Sequence, residues 1–376
     1  MKIGLALPIY ARWFQGDPAL QVLNKAKALG VESLWLVDHI ILTPTQAIGY
    51  GNSTPDIWTA SAYFAGACNA LDYHPYFGQA VAVIPWRPPI QQAQVLATID
   101  HLSGGKLIIG AGSGHIPEAF EALDIPFEER TARTDEYLKC MMTLWKHPTA
   151  SFHGKYANFD NMTIMVRPQQ RPYPPILYGG RGPRPFRRIG EYCQGYLPAG
   201  VVSVSERRSR RHGKIGEPSI FEGKPVFPWD EEELTGPERF QRDMAELMKY
   251  WKRYGRTGRP YVATTTQVQL TDDRRESDAG TVTRGVIKPG EDSFQSTYQS
   301  AHVDDLVAAL RAMSDLGVDH IAIRPGAYRY KERNQLENLM HQLDLLGEHV
   351  LPKIPKDTAP IGPFSYAESI EGMGTG

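Results

Sequence analysis

The sequence predicts an α/β fold, a (β/α)8 barrel with insertions, and three observations carry that prediction. Short apolar runs alternate with amphipathic stretches along the whole 376-residue chain. The alternation makes eight strand–helix units, and a parallel sheet of eight strands closes well as a barrel with helices outside. The clearest unit is AVAVIPWRPPIQQAQVLATIDHLSGGKLIIGAGSG, Ala80 to Gly114. It reads as a buried strand, a turn with three prolines, a helix, a Ser-Gly-Gly break and a second buried strand ending in glycines. An open doubly wound sheet is the structural alternative.

The elements follow in order. Ile3 to Pro8 is a short apolar strand, and the helix from about Asp17 to Leu29 is stopped by Gly30. Val31 to Ile40 is the second strand. Pro55 to Leu71 is a helix with Thr54 as N-cap and Pro55 in its first turn. Tyr76 to Pro85, Pro89 to Leu102 and Lys106 to Gly112 are strand, helix and strand, and a long helix runs from Glu128 to Lys146. Ser151 to Val166 alternates around a polar turn and reads as a small β excursion. Pro174 to Gly180, then GYLPAG, then Tyr261 to Leu270, then Val318 to Pro325 supply the remaining strands. Phe240, Met244, Leu247, Met248 and Trp251 recur at helical spacing. The whole reads as one domain over 1–355, with insertions at about 150–168, 200–235 and 271–300 and an extended tail over 356–376.

Bulk properties narrow the partners. With 41 basic and 42 acidic side chains, the near-zero net charge argues against nucleic acid. Cys68, Cys140 and Cys193 form no paired framework and no metal spacing, which fits a reducing compartment. The N-terminus reads as a first strand, not a signal peptide, and no stretch reaches membrane-spanning length. A soluble, cytoplasmic protein acting on a small molecule is expected, with no membrane and no metal.

In such barrels functional residues sit at strand carboxyl ends: Pro8–Tyr10, Asp38-His39, Pro85-Trp86, Gly110 to His115, Gly179-Gly180-Arg181, Pro198 and Arg324. Asp38-His39 suits acid–base work, because a neighbouring carboxylate can set the tautomer of the imidazole and raise its pKa; a plain polar strand terminus is the other reading. The run Gly110-Ala111-Gly112-Ser113-Gly114 is a weak match to a dinucleotide fingerprint, since it is G-x-G-x-G after the fourth strand, and it fails as a nucleophile elbow, since Ala111 and His115 flank Ser113 where glycines are needed. It is either a bare backbone surface for a planar ring or a tight turn. Gly179-Gly180-Arg181-Gly182 before a helix is either an anion cradle or a glycine turn. The basic run Glu206 to Lys214 is a solvated loop or meets an acidic ligand tail. Trp86 is a candidate pocket wall.

Several stretches together resemble the luciferase-like monooxygenase superfamily: LGVESLWLVDHI, LATIDHLSGGKLIIGAGSG, FEALDIPFEERTARTDEYL, SFHGKYANF, RPYPPILYGGRGP and LGVDHIAIRP. The resemblance implies a TIM barrel, a homodimer or larger, and an isoalloxazine-type ring at the carboxyl end. It implies a non-proline cis peptide at Ala80–Val81 against the middle of the ring, with Gly112, Ser113 and Gly114 also at the cofactor. It implies Gly179, Gly180 and Arg181 at the cofactor phosphate, and His39, Asp38 and His115 in catalysis. Asp38-His39 is similar to the deazaflavin-dependent members, whereas flavin-dependent members more often carry Glu-His-His. Coenzyme F420 and hydride transfer are therefore expected, with reduced FMN and oxygen activation as the alternative. His115 stands where some deazaflavin dehydrogenases have Glu. A metal-dependent hydrolase using Asp38 and the histidines is the non-redox alternative, without ligand spacing to support it.

Overall fold

The computed structural model describes residues 1–7, 16–49, 54–199, 201, 236–279, 300–326, 335–362 and 364. The expected strand end Pro8–Tyr10, the basic run Glu206 to Lys214 and most of the 200–235 and 271–300 segments lie outside the described residues.

In chain order the elements begin β1 (Lys2–Ala6), α1 (Gly16–Ala28), β2 (Ser33–Leu36), α2 (Pro44–Gly49), α3 (Ile57–Ala70), β3 (Tyr76–Gln79), β4 (Ala82–Val83) and α4 (Pro89–Leu102). They continue with β5 (Leu107–Gly112), α5 (Pro117–Ala122), α6 (Arg130–Lys146), β6 (Ala150–His153), β7 (Asn158–Met162), β8 (Ile176–Tyr178) and α7 (Pro183–Glu191). Then come β9 (Gly195–Tyr196), α8 (Gly236–Arg253), β10 (Tyr261–Thr271), α9 (Arg274–Ala279), β11 (Ser300–His302), α10 (Val303–Asp315), β12 (His320–Pro325) and α11 (Gln335–Leu345).

Strands β12, β1, β2, β3, β5, β8, β9 and β10 pair in that order, all in parallel. Pairing of β10 with β12 closes the ring and rules out the open sheet. The expected β excursion is the antiparallel pair β6–β7.

Side-chain alternation splits the apolar residues into two sets. One fills the space between sheet and helices; Leu34, Phe64, Leu96, Ile109, Met141 and Leu310 belong to it. The other fills the lumen: Ala6, Trp35, Ile108, Leu177, Leu197, Ala263 and Ala322. Trp35 is 1% exposed and lies so close to β3 that a Cβ on Gly78 would come within 2.5 Å of its ring. Below it, Ser33 Oγ bonds to His320 Nε2 at 2.6 Å and accepts from Trp35 Nε1 at 2.8 Å. The segment from Asp357 crosses the floor: its carbonyl accepts from Lys2, Ile361 joins the lumen set, and the Phe364 ring meets Tyr261 at 5.4 Å.

Two expectations need correction. The N-cap of α3 is Asp56, not Thr54: its carboxylate accepts from the N–H groups of Trp58 (3.1 Å) and Thr59 (2.9 Å), a stronger match to the helix dipole than a hydroxyl gives. The third strand is not continuous to Pro85. Gly78 pairs with Ile108 and Ala82 with Ala111, so residues 79–81 face residues 109–110 and the strand carries one extra residue. The Ala80–Val81 bond within this bulge is cis. Gln79 fills the gap in the ladder, its side-chain Oε1 accepting from Gly110 N–H at 3.4 Å.

Candidate active site at the carboxyl end of the barrel

Asp38 and His39 follow β2 into the barrel mouth, where their side chains serve different ends. Asp38 is 4% exposed. Its carboxylate accepts from Val83 N–H at 2.9 Å and from both terminal nitrogens of Arg87 at 2.8 and 2.9 Å. Burial pushes its pKa up, and the guanidinium of Arg87 and the Val83 N–H oppose this. Both oxygens accept hydrogen bonds, so Asp38 anchors the end of β2 to Val83 and Arg87.

His39 has different neighbours. Its pKa is pushed down to about 3, first by burial and then by the positive influence of His115 and Arg324. The expected rise caused by a carboxylate is not found, because Asp38 faces Arg87. His115 is exposed, yet its protein surroundings also lower its pKa. The mouth therefore holds two imidazoles that are neutral near pH 7. Arg324, a strand end in the sequence, is a functional candidate here because its charge acts on His39. By alternation it shares the lumen face with Ala322, and Gln267 stands opposite it on β10.

The glycine run has a local cause. A Cβ on Gly110 would lie 1.6 Å from the Gln79 carbonyl oxygen, one on Gly112 would lie 2.5 Å from Val81 Cγ2, and one on Gly114 would lie 2.7 Å from Val83 Cγ1. These residues lack side chains because the bulged third strand crosses β5 there. Gly179 faces the same Val81, with 2.8 Å to Cγ1. Val81 is thus wedged between two glycines, and Ala80 and Val81 remain partly exposed at the mouth.

Ser113 leads into a buried polar chain. Its Oγ lies 2.7 Å from Tyr178 OH, which accepts from Arg188 Nη1 at 2.7 Å. Arg188, 1% exposed, donates onward to Asp135 at 2.5 and 3.0 Å and to the Thr131 carbonyl at 2.7 Å. This chain ties the end of β5 to β8, α6 and α7.

The expected anion cradle is thinner than its glycines suggest. Pro183 and Pro185 carry no N–H, and Phe186 N–H already bonds the Gly182 carbonyl at 3.0 Å. Among the first three residues of α7 only Arg184 offers a backbone donor. Arg181 grips Asp243 of α8 at 2.6 and 3.2 Å. Trp86, 6% exposed, packs at 5.9 Å from Phe120 in a small cluster with Val83, Ile116 and Ala119. Among the described residues no three His, Cys, Asp or Glu side chains gather as metal ligands, and no helix is long and apolar enough to cross a membrane.

Comparison with known proteins places this geometry. The luciferase-like monooxygenase family model matches residues 9–212. The chain belongs to the luciferase-like monooxygenase family. A relative in sequence is the FMNH(2)-dependent dimethylsulfone monooxygenase of Pseudomonas putida, 35% identical over 99 residues, which is 26% of this chain and 27% of the relative. Another is the uncharacterized protein Mb0978c of Mycobacterium bovis, 30% identical over 145 residues, 38% of this chain and 50% of that one. The chain thus spans a quarter to a half of the length of these curated relatives. Solved luciferase-like structures align over nearly the full length. The monooxygenase RslO1 from Streptomyces bottropensis gives a TM-score of 0.67 at 18% identity, covering 94% of this chain and 99% of that one. An F420-dependent secondary alcohol dehydrogenase bound to an F420-acetone adduct gives 0.65 at 15%, with the same coverage. The FMN-bound oxygenating constituent of 3,6-diketocamphane monooxygenase from Pseudomonas putida gives 0.63 at 16%, covering 95% and 99%. At these identities the likeness establishes the fold alone.

Proposed function

We propose that this luciferase-like enzyme is an F420-dependent oxidoreductase that moves a hydride to or from a small organic substrate. The observation that carries the reading is the cluster of two imidazoles, His39 and His115, with Arg324 at the barrel mouth, where Ala80 and Val81 are partly exposed at the end of the third strand. The mouth suits a heterocycle rich in acceptors, since Gln267 Nε2 is buried without a partner opposite Arg324. Ala80 and Val81 would face the ring, Gly112, Ser113 and Gly114 would border it, and Gly179, Gly180 and Arg181 would meet the phosphate. When bound, the deazaflavin supplies the two-electron hydride chemistry. His39, neutral near pH 7, would accept a hydrogen bond from the substrate hydroxyl and orient it; its low midpoint makes it a weak base, so the proton released as the carbon is oxidised passes on to solvent.

A second reading, reduced-FMN oxygenation, is favoured by the sequence relative from Pseudomonas putida, whose printed activity is FMNH(2)-dependent. Spectral titration of the protein with F420 and FMN in parallel separates the two. A response to F420 without oxygen uptake is expected. An FMN response with FMN-dependent oxygen uptake reverses the assignment, and silence of both chromophores defeats both.

A further inference from the structure

The ladder that positions β2 ends at Leu36, whose carbonyl accepts from Ala80 N–H at 2.8 Å. His39 stands three residues beyond it. What fixes the chain there is a side-chain clamp. Asp38 takes Val83 N–H and both terminal nitrogens of Arg87. Arg87 Nη2 also donates to Asp56 Oδ2 at 2.7 Å, and Asp56 caps α3. The guanidinium lies 5.7 Å from the centre of the Trp58 ring. One arginine thus joins the end of β2, the strand just past the bulge and the start of α3.

We propose that Arg87 is the positioning residue for the His39 imidazole: by locking Asp38 it sets the direction in which the next side chain enters the barrel mouth. A bidentate guanidinium–carboxylate fork fixes orientation as well as distance, whereas an ammonium fixes only a point of charge. Among the described residues, His115, after β5, and Arg324, on β12, act on His39, and the Asp38–Arg87–Asp56 assembly holds the residue before it. Asp38 therefore serves the site through Arg87. The link to turnover rests on the role given to His39 above, but the clamp exists in the protein without ligand.

The test follows the His39 ring signal by NMR against pH in the ligand-free, full-length protein. Two charge-conserving variants displace the fork, Arg87→Lys and Asp38→Glu. In the parent protein His39 should titrate near 3. Each variant lets water reach the imidazole and should raise its midpoint by at least about one pH unit. The double variant should do no more than either single one, because the two residues act as one unit. Lys249→Gln breaks an exposed ion pair on α8 that shares no partner with the clamp, so its midpoint should match the parent. A folded Arg87→Lys protein with an unmoved His39 midpoint overturns the proposal, and so do shifts that add in the double variant. If Arg87→Lys fails to fold, Asp38→Glu carries the same comparison. Silence toward F420 and FMN would sink the redox reading and leave this comparison standing.

Discussion

Arg188 shows how much one buried side chain can hold. Its guanidinium satisfies Asp135, Tyr178 and the Thr131 carbonyl at once. Desolvating that charge is costly, and only this full set of acceptors offsets it. Removing it leaves Asp135 with Arg187 and Tyr192, and Tyr178 OH with Ser113, but takes the donor from the Thr131 carbonyl and empties the buried centre of the chain. Arg188→Met should therefore lower unfolding stability by about 1–3 kcal/mol, read from denaturant midpoints at constant m-value. A loss under about 1 kcal/mol would mean that water replaces the guanidinium. Neither Arg188 nor Arg87 stood out in the sequence. Their acceptors lie 53 and 49 residues away along the chain, and no local pattern announces such a partnership. His39 and His115 were legible, because each ends a readable strand. The sign of the change at His39 was not, because it depends on which way Asp38 points.

At the level of elements, the crossing of the third strand over β5 and β8 governs the mouth. The glycines were visible in the sequence, but their cause lay in another strand, so a run that looked like open backbone proves to be occupied by Val81, Val83 and the Gln79 carbonyl. Gly112→Ala should force Val81 to move and weaken cofactor binding by about tenfold, or about 1.4 kcal/mol, measured by the same spectral titration. Adding Val81→Ala should restore most of it, since it removes the methyl carbons that clash. Gly110→Ala has no such remedy, because the obstacle is backbone. Unchanged affinity in Gly112→Ala would show that Val81 has no part in shaping the mouth.

For the molecule as a whole, the barrel was legible because each strand–helix unit obeys its own period; the shortness of the β9–β10 contact was not, because it spans only two register positions and leaves little pattern. Stability against acid belongs to this scale. His320, fully buried beneath Trp35, has its pKa pushed down to about 3 by burial, with Lys2 and the N-terminus adding to it. The unfolded chain takes up that proton near pH 6.5 and the folded one does not, so stability falls as pH drops from about 6.5 toward 3. The slope from this one group is about 1.4 kcal/mol per pH unit. A folded His320→Gln protein should show a shallower acid dependence in denaturant titrations between pH 6 and pH 4; an identical slope would place the acid sensitivity elsewhere.

The floor segment has a further effect. Lys2, Ile361 and Phe364 shut the end of the barrel away from His39, and Trp35 blocks the way between. Among the described residues the lumen below the mouth is filled by side chains, so a molecule entering at the His39 end rests on Trp35 and cannot pass to the floor.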